Sequence, residues 1–138
     1  MLMCGYITKC ALLFCLYSSG EVEMGVIDEH VKSGIAYKIE GKYEEATAEL
    51  LEAIKIDSLH AEARRQLGLV YGFEGLFDES IEELKTAVGL DLSNSAIRAD
   101  LGMTYAMLGM FDEAKAEFEL VLQIDPSNET ARKQMIYF

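Results

Sequence analysis

The chain has 138 residues, enough for one ordinary domain or for a short array of stacked repeats with flanking segments. Its 51% hydrophobic content excludes general disorder, and one proline with no tryptophan fits a helical chain better than a turn-rich β fold. The net charge of −12, from 24 acidic and 12 basic residues, repels phosphate backbones, so no nucleic-acid partner is expected.

Residues 1–20 form an apolar N-terminal segment. Leu2 to Tyr17 is interrupted mainly by Gly5, Thr8 and Lys9, and Cys10 to Tyr17 is an unbroken apolar run before Ser18, Ser19 and Gly20. A positive charge, a short apolar core and then small residues give the outline of a secretory signal peptide. A transmembrane helix fits less well, because about 20 continuous apolar residues are wanted and Lys9 splits the run. Leu12-Leu13-Phe14-Cys15 has the outline of a bacterial lipoprotein box except at Phe14, where a small residue belongs. Export or membrane attachment is the favoured expectation. Beside it stand a helix packed on the first part of the body, and a true start at Met24 that would leave the protein cytoplasmic. Residues 21–26 are expected to be a polar linker. The cysteines, Cys4, Cys10 and Cys15, all lie in this segment. An odd number at those spacings makes neither a disulfide framework nor a common zinc pattern, and no metal or cofactor is expected.

From Ile27 onward the same chemistry returns every 34 residues. Gly34, Gly68 and Gly102 share a register, as do Tyr37, Tyr71 and Tyr105, then Gly41, Gly75 and Gly109, then Tyr43, Phe77 and Phe111, then Asp57, Asp91 and Asp125. A fixed period of this length marks an array of one supersecondary unit, with repeats at 27–60, 61–94 and 95–128. In each, a first helix carries a stripe such as Leu67, Gly68, Val70 and Tyr71. Glycine inside a helix costs about 1 kcal/mol against alanine, so its recurrence at one site predicts close helix contact there. Gly41, Gly75 and Gly109 fall where the stripe ends, suited to a left-handed residue that terminates a helix. The second helix opens with acids (Glu44-Glu45, Asp78-Glu79, Asp112-Glu113), which offset its positive end. Its predicted buried stripes are Ala46, Leu50, Ala53 and Ile54, then Ser80, Leu84, Ala87 and Val88, then Ala114, Phe118, Val121 and Leu122. Residues 129–138 begin a further first-type helix, short and capping, that ends Met135-Ile136-Tyr137-Phe138. These four either pack down on the third repeat or leave an edge where a second copy would stack.

The pattern resembles the tetratricopeptide repeat family. Its signature residues are matched at Leu67, Gly68, Tyr71, Gly75, Phe77, Leu84 and Ala87, and again at Leu101, Gly102, Tyr105, Gly109, Phe111, Ala114, Phe118 and Pro126. The first copy departs at Ser33, where leucine is usual, and Ser58 and Leu92 replace the closing proline. The resemblance implies an all-α fold: a right-handed superhelix, or α-solenoid, of three helix-turn-helix repeats plus a C-terminal capping helix. It also implies a concave groove, lined by the first helices, that binds peptides or helical segments of partner proteins.

The residues expected to line that groove are Val31, Ile35, Lys38, Ile39, Arg65, Gln66, Leu69, Phe73, Ala99, Asp100, Met103 and Met107. The set is mainly apolar, with Met103 and Met107 as adaptable fillers and Phe73 as an anchor. The basic and asparagine clamp of the family's heat-shock co-chaperones has no counterpart at Val31, Ile35, Gln66, Ala96 and Asp100. Catalysis finds no support: His30 and His60 stand alone, and no serine, cysteine or carboxylate has a triad partner. Glu45, Glu79, Glu113 and Glu49, Glu83, Glu117 recur on the second helices and are expected to form a solvated outer face rather than a metal ladder. The leading expectation is a non-catalytic scaffold for a partner with apolar anchors. Self-assembly through the C-terminal edge, and a role as accessory subunit of an enzyme or transport complex, stand beside it.

Overall fold

The computed structural model describes the backbone of residues 4–138 and the side chains of residues 20–138. Among the described residues there are seven helices and no strand. They are α1 (Cys4–Glu40), α2 (Tyr43–Ile56), α3 (Ala61–Glu74), α4 (Phe77–Leu90), α5 (Ser95–Met107), α6 (Phe111–Ile124) and α7 (Glu129–Met135). Short turns pair α1 with α2, α3 with α4 and α5 with α6, and the hairpins stack in chain order. First helices also touch across repeats, α1 with α3 and α3 with α5, so they share the inner face of an all-α solenoid.

Local chemistry at the predicted period explains each boundary. The first helices α3, α5 and α7 begin at Ala61, Ser95 and Glu129, the predicted register. Each is capped by the residue before it. His60 Nδ1 accepts from the Ala63 amide at 3.1 Å, Asn94 Oδ1 from Ile97 at 3.3 Å, and Asn128 Oδ1 from Ala131 at 3.0 Å. Such a cap satisfies one of the free amides at a helix start. The sequence placed His60 near this start without giving it the capping role, although it occupies the register of Asn94 and Asn128.

The turns inside the hairpins use the predicted glycines. Gly41, Gly75 and Gly109 have φ of 78°, 81° and 75°, a region where a side chain is strained. The amide after each reaches back to a tyrosine carbonyl: Lys42 to Tyr37 at 2.9 Å, Leu76 to Tyr71 at 2.8 Å and Met110 to Tyr105 at 2.9 Å. Carbonyls left free at the helix end are thereby satisfied.

Close contact at the second glycine set is equally direct. A Cβ added at Gly34 would lie 2.6 Å from Leu50 Cγ, one at Gly68 2.8 Å from Leu84 Cγ, and one at Gly102 3.0 Å from Phe118 Cε1. The large residue of each second helix therefore fills the space that the glycine leaves. Leu50, Leu84 and Phe118 are all fully buried there. Of the predicted stripes, Ala46, Leu50 and Ala53, then Ser80, Leu84, Ala87 and Val88, then Ala114, Phe118 and Val121 are buried, while Ile54 and Leu122 are only partly so.

A half-buried pair also recurs between the two helices of every hairpin. His30 Nδ1 lies 2.6 Å from Glu49, Arg64 Nη1 3.0 Å from Glu83, and Arg98 Nη1 3.2 Å from Glu117. The expectation of a wholly solvated acidic face is corrected on this point. Glu45, Glu79 and Glu113 are exposed, whereas Glu49, Glu83 and Glu117 turn toward the first helix because a partner stands at the same period.

Two further expectations change at the ends. Residues 21–26, expected as a linker, lie within α1. No proline interrupts the stretch, and Glu21, Glu23 and Met24 are good helix formers that offset Gly20 and Gly25. Among the described residues no helix is long and apolar enough to cross a membrane. The expectation of export or attachment through residues 1–20 falls almost wholly on side chains outside the described residues. At the other end α7 buries Ala131, and the chain then turns so that Phe138 meets the rings of Phe111 and Phe118 at 6.2 and 6.1 Å. Ile136 and Tyr137 remain 80% and 82% exposed, so the terminal residues divide between packing down and standing free.

Candidate functional site: the inner groove

The groove formed by α1, α3 and α5 has two zones. The first is a polar row across all three helices. Lys38 Nζ on α1 donates to Gln66 Oε1 on α3, and Gln66 Nε2 donates to Glu62 Oε1 at 2.6 Å. Arg65 Nη1 reaches Glu62 at 3.4 Å, and Arg65 Nε donates to Asp100 Oδ2 on α5 at 2.6 Å. Glu62 and Gln66 are four residues apart on one face of α3, whereas the Lys38–Gln66 and Arg65–Asp100 bonds cross between helices.

Burial and charge act against each other here. Burial, followed by repulsion from Arg65, lowers the Lys38 pKa, with Asp100 and Glu62 opposing. Burial also acts to lower Arg65, but the hydrogen bond and charge of Asp100, with help from Glu62, raise it overall. Burial pushes the Asp100 carboxyl above its ordinary value, and Arg65 opposes this without reversing it. The row sets Lys38 and Arg65 against Glu62 and Asp100, so its formal charge is balanced although the whole chain carries −12. Both cations are already engaged.

The second zone is an apolar cleft of about 100 Å³ between α3 and α5. Leu69, Phe73, Met103 and Met107 form its walls, with Asp100 at the boundary to the polar row. Phe73 is 62% exposed and its ring stacks on Tyr43 at 6.0 Å, which fixes its orientation at the rim. Met107 is 66% exposed opposite it. An exposed aromatic beside flexible thioethers provides apolar area that can adjust to a ligand.

The predicted groove residues thus separate into groups. Lys38, Arg65, Gln66 and Asp100 meet in the row, and Leu69, Phe73, Met103 and Met107 meet in the cleft. Val31 and Ala99 are corrected: both are buried in the core. Val31 packs among Ile27, Ala53 and Ala63, and Ala99 belongs to the cluster of Leu84, Ile97 and Phe118. Ile35 packs beside the Val31 cluster, and Ile39 is 79% exposed and lies apart from the cleft. Gly72, Ser80 and Thr104 complete the cleft and were not among the predicted lining. Gly72 stands in the register of Lys38 and Ala106, and Ser80 in that of Ala46 and Ala114. Those departures were the available signal.

An all-helical array of hairpins, with a groove built from first helices, defines a helical-repeat solenoid. Models of the tetratricopeptide repeat match residues 34–72 and 74–135, and the chain belongs to that family. No curated protein matches it. Among solved structures it is similar to the Arabidopsis OM64 TPR domain, at 21% identity and a TM-score of 0.78 over 83% of this chain and 95% of that one. It is also similar to the second TPR domain of human RPAP3, solved in complex with the HSP70 peptide SGPTIEEVD. That match has 28% identity and a TM-score of 0.72 over 80% of this chain and 96% of the other. The first TPR of Spaghetti (RPAP3), bound to the HSP90 peptide SRMEEVD, matches at 22% identity and a TM-score of 0.77, over 82% and 90%.

Proposed function

We propose that this protein is a non-catalytic interaction scaffold whose inner groove holds a peptide or helical segment of a partner protein through an apolar anchor. The observation that carries this reading is the cleft of Leu69, Phe73, Met103 and Met107 beside a polar row whose charges are already matched. The peptide complexes of the RPAP3 domains support the use of such a solenoid for peptide capture. Their acidic peptides are poor guides to the ligand here. Arg65 is held by Asp100 and Glu62, and Lys38 donates to Gln66 within reach of the same two carboxylates, so an incoming carboxylate would meet like charge in the row. An apolar side chain entering the cleft meets no such repulsion. Polar substitutions at Phe73 and Met103 should abolish partner capture from native cells while helical content, read by circular dichroism, stays unchanged. Capture that survives both changes defeats the reading.

A second reading rests on the C-terminal edge. Ile136 and Tyr137 are exposed beside a recess lined by Ala106, Phe111, Gln134, Tyr137 and Phe138. End-to-end stacking of a second copy would cover this surface. Light scattering across a concentration series decides it: growth in mass supports stacking, and a strict monomer excludes it.

A further inference from the structure

The first helix is far longer than its counterparts. α1 runs 37 residues, from Cys4 to Glu40, whereas α3 has 14. Only the part from Ile27 onward belongs to the first repeat, where Ile27, Val31 and Gly34 are buried. The turns just before it stand away from the solenoid. Residues 20–25 are all exposed, with Val22 at 62% and Met24 at 68%. A Cβ added at Gly20 or Gly25 would have no other atom within 4 Å among the described residues, so the helix has no neighbour at either position.

The sequence that α1 carries ahead of Gly20 is unlike the rest of the chain. All 24 acidic residues lie beyond Gly20, and of the 12 basic residues Lys9 alone precedes it. Cys10 to Tyr17 is an unbroken apolar run. At 3.6 residues per turn such a run passes around the helix about twice and leaves no polar face. A helix that rests one side on a protein keeps its other side polar, whereas one that is apolar all round is buried on every side, in a large core or in lipid. The exposed turns at 20–25 lead away from the only core that the described residues build. We propose that the leading part of α1 is a membrane-docking helix: the run from Cys10 to Tyr17 lies below the headgroups of one leaflet and tethers the solenoid to a bilayer. The run is about 12 Å long against a hydrocarbon core of about 30 Å, so it does not cross. Lys9 reaches back to the headgroups along its own apolar stem. Charge selects the lipid. Glu21, Glu23, Asp28 and Glu29 are exposed and follow within a few turns, and the chain as a whole carries −12. An anionic surface repels them, so a zwitterionic bilayer is the one that fits.

The test is flotation of the full chain with phosphatidylcholine vesicles, after its intact mass has been measured. The chain should float with these vesicles, and less with vesicles that also contain phosphatidylserine. That difference should shrink as salt is raised and the repulsion is screened. Leu13→Asp combined with Leu16→Asp should lower vesicle binding about tenfold or more, the loss expected when buried leucine side chains are given up. Both positions precede the repeats, so the urea midpoint of the solenoid should stay unchanged. A chain that floats with neither vesicle overturns the proposal. So does an intact mass that lacks residues 1–20, which would mark a cleaved leader. Oligomers that form without vesicles and dissolve on the same two substitutions would make a second copy the occupant, and binding that rises with phosphatidylserine would overturn the choice of lipid.

Discussion

Gly68→Ala is the most demanding test of how the hairpins are held together. The added Cβ would sit 2.8 Å from Leu84 Cγ, 3.1 Å from Leu84 Cδ2 and 3.2 Å from the Ser80 carbonyl oxygen. Comfortable carbon–carbon contacts are about 3.5–4.0 Å, so the closest overlap exceeds half an ångström. Leu84 is fully buried and cannot swing to solvent, and the Ser80 carbonyl belongs to helix backbone. The helices must separate, and overpacking of that kind costs about 1–3 kcal/mol. Alanine's higher helix propensity returns about 1 kcal/mol, leaving a net loss of roughly 0–2 kcal/mol. Gly25→Ala provides the control, because no atom lies within 4 Å of the place its added methyl group would take and only the propensity gain remains. Urea denaturation followed at the helical circular dichroism band measures both. A Gly68→Ala chain that gains as much stability as Gly25→Ala would refute the interlocking argument.

Two further outcomes follow from the charged groups. Arg98 and Glu117 are only 17% and 19% exposed, so a double-mutant cycle on this pair should give a coupling of about 1 kcal/mol or more, above the usual surface value; additive single mutants would place the pair's contribution near zero. Asp100 titrates above its ordinary value because burial disfavours its charged form. Its stabilising proton uptake is therefore complete in acid and is lost as pH rises through the raised folded value. Asp100→Asn lacks this slope, so its stability relative to wild type should improve from mildly acidic to neutral pH. A flat or falling difference in urea denaturation across that range would contradict the assigned direction.

Much of the solenoid was legible because its determinants are local and repeat. Gly75 ends a helix wherever it falls, and Gly68 opposite Leu84 requires only that the period be recognised. The groove was less legible because inner-face position does not settle exposure. Val31 and Ala99 were expected on that face with Phe73 and Met103, yet Val31 belongs to a core cluster with Ala53 and Ala63, and Ala99 to one with Leu84 and Phe118. Pairings between helices were harder still. Glu83 and Arg64 look like ordinary surface charges until the hairpin brings them together, and Lys38, Arg65 and Asp100 belong to three different helices. Ser80 read as one more small residue in a packing stripe. It lines the cleft beside Gly72, eight residues earlier on the facing helix.

A partner segment held in the inner groove rather than on the outer surface can be located directly. A photo-cross-linking residue placed at Met107, exposed at the mouth of the cleft, tests it against the same residue placed at Thr86, exposed on α4. A discrete partner adduct is expected from position 107, none from position 86, and loss of the adduct when Phe73→Asn is added. Equal adducts from both positions, or an adduct at 107 that survives the Phe73 change, would contradict it.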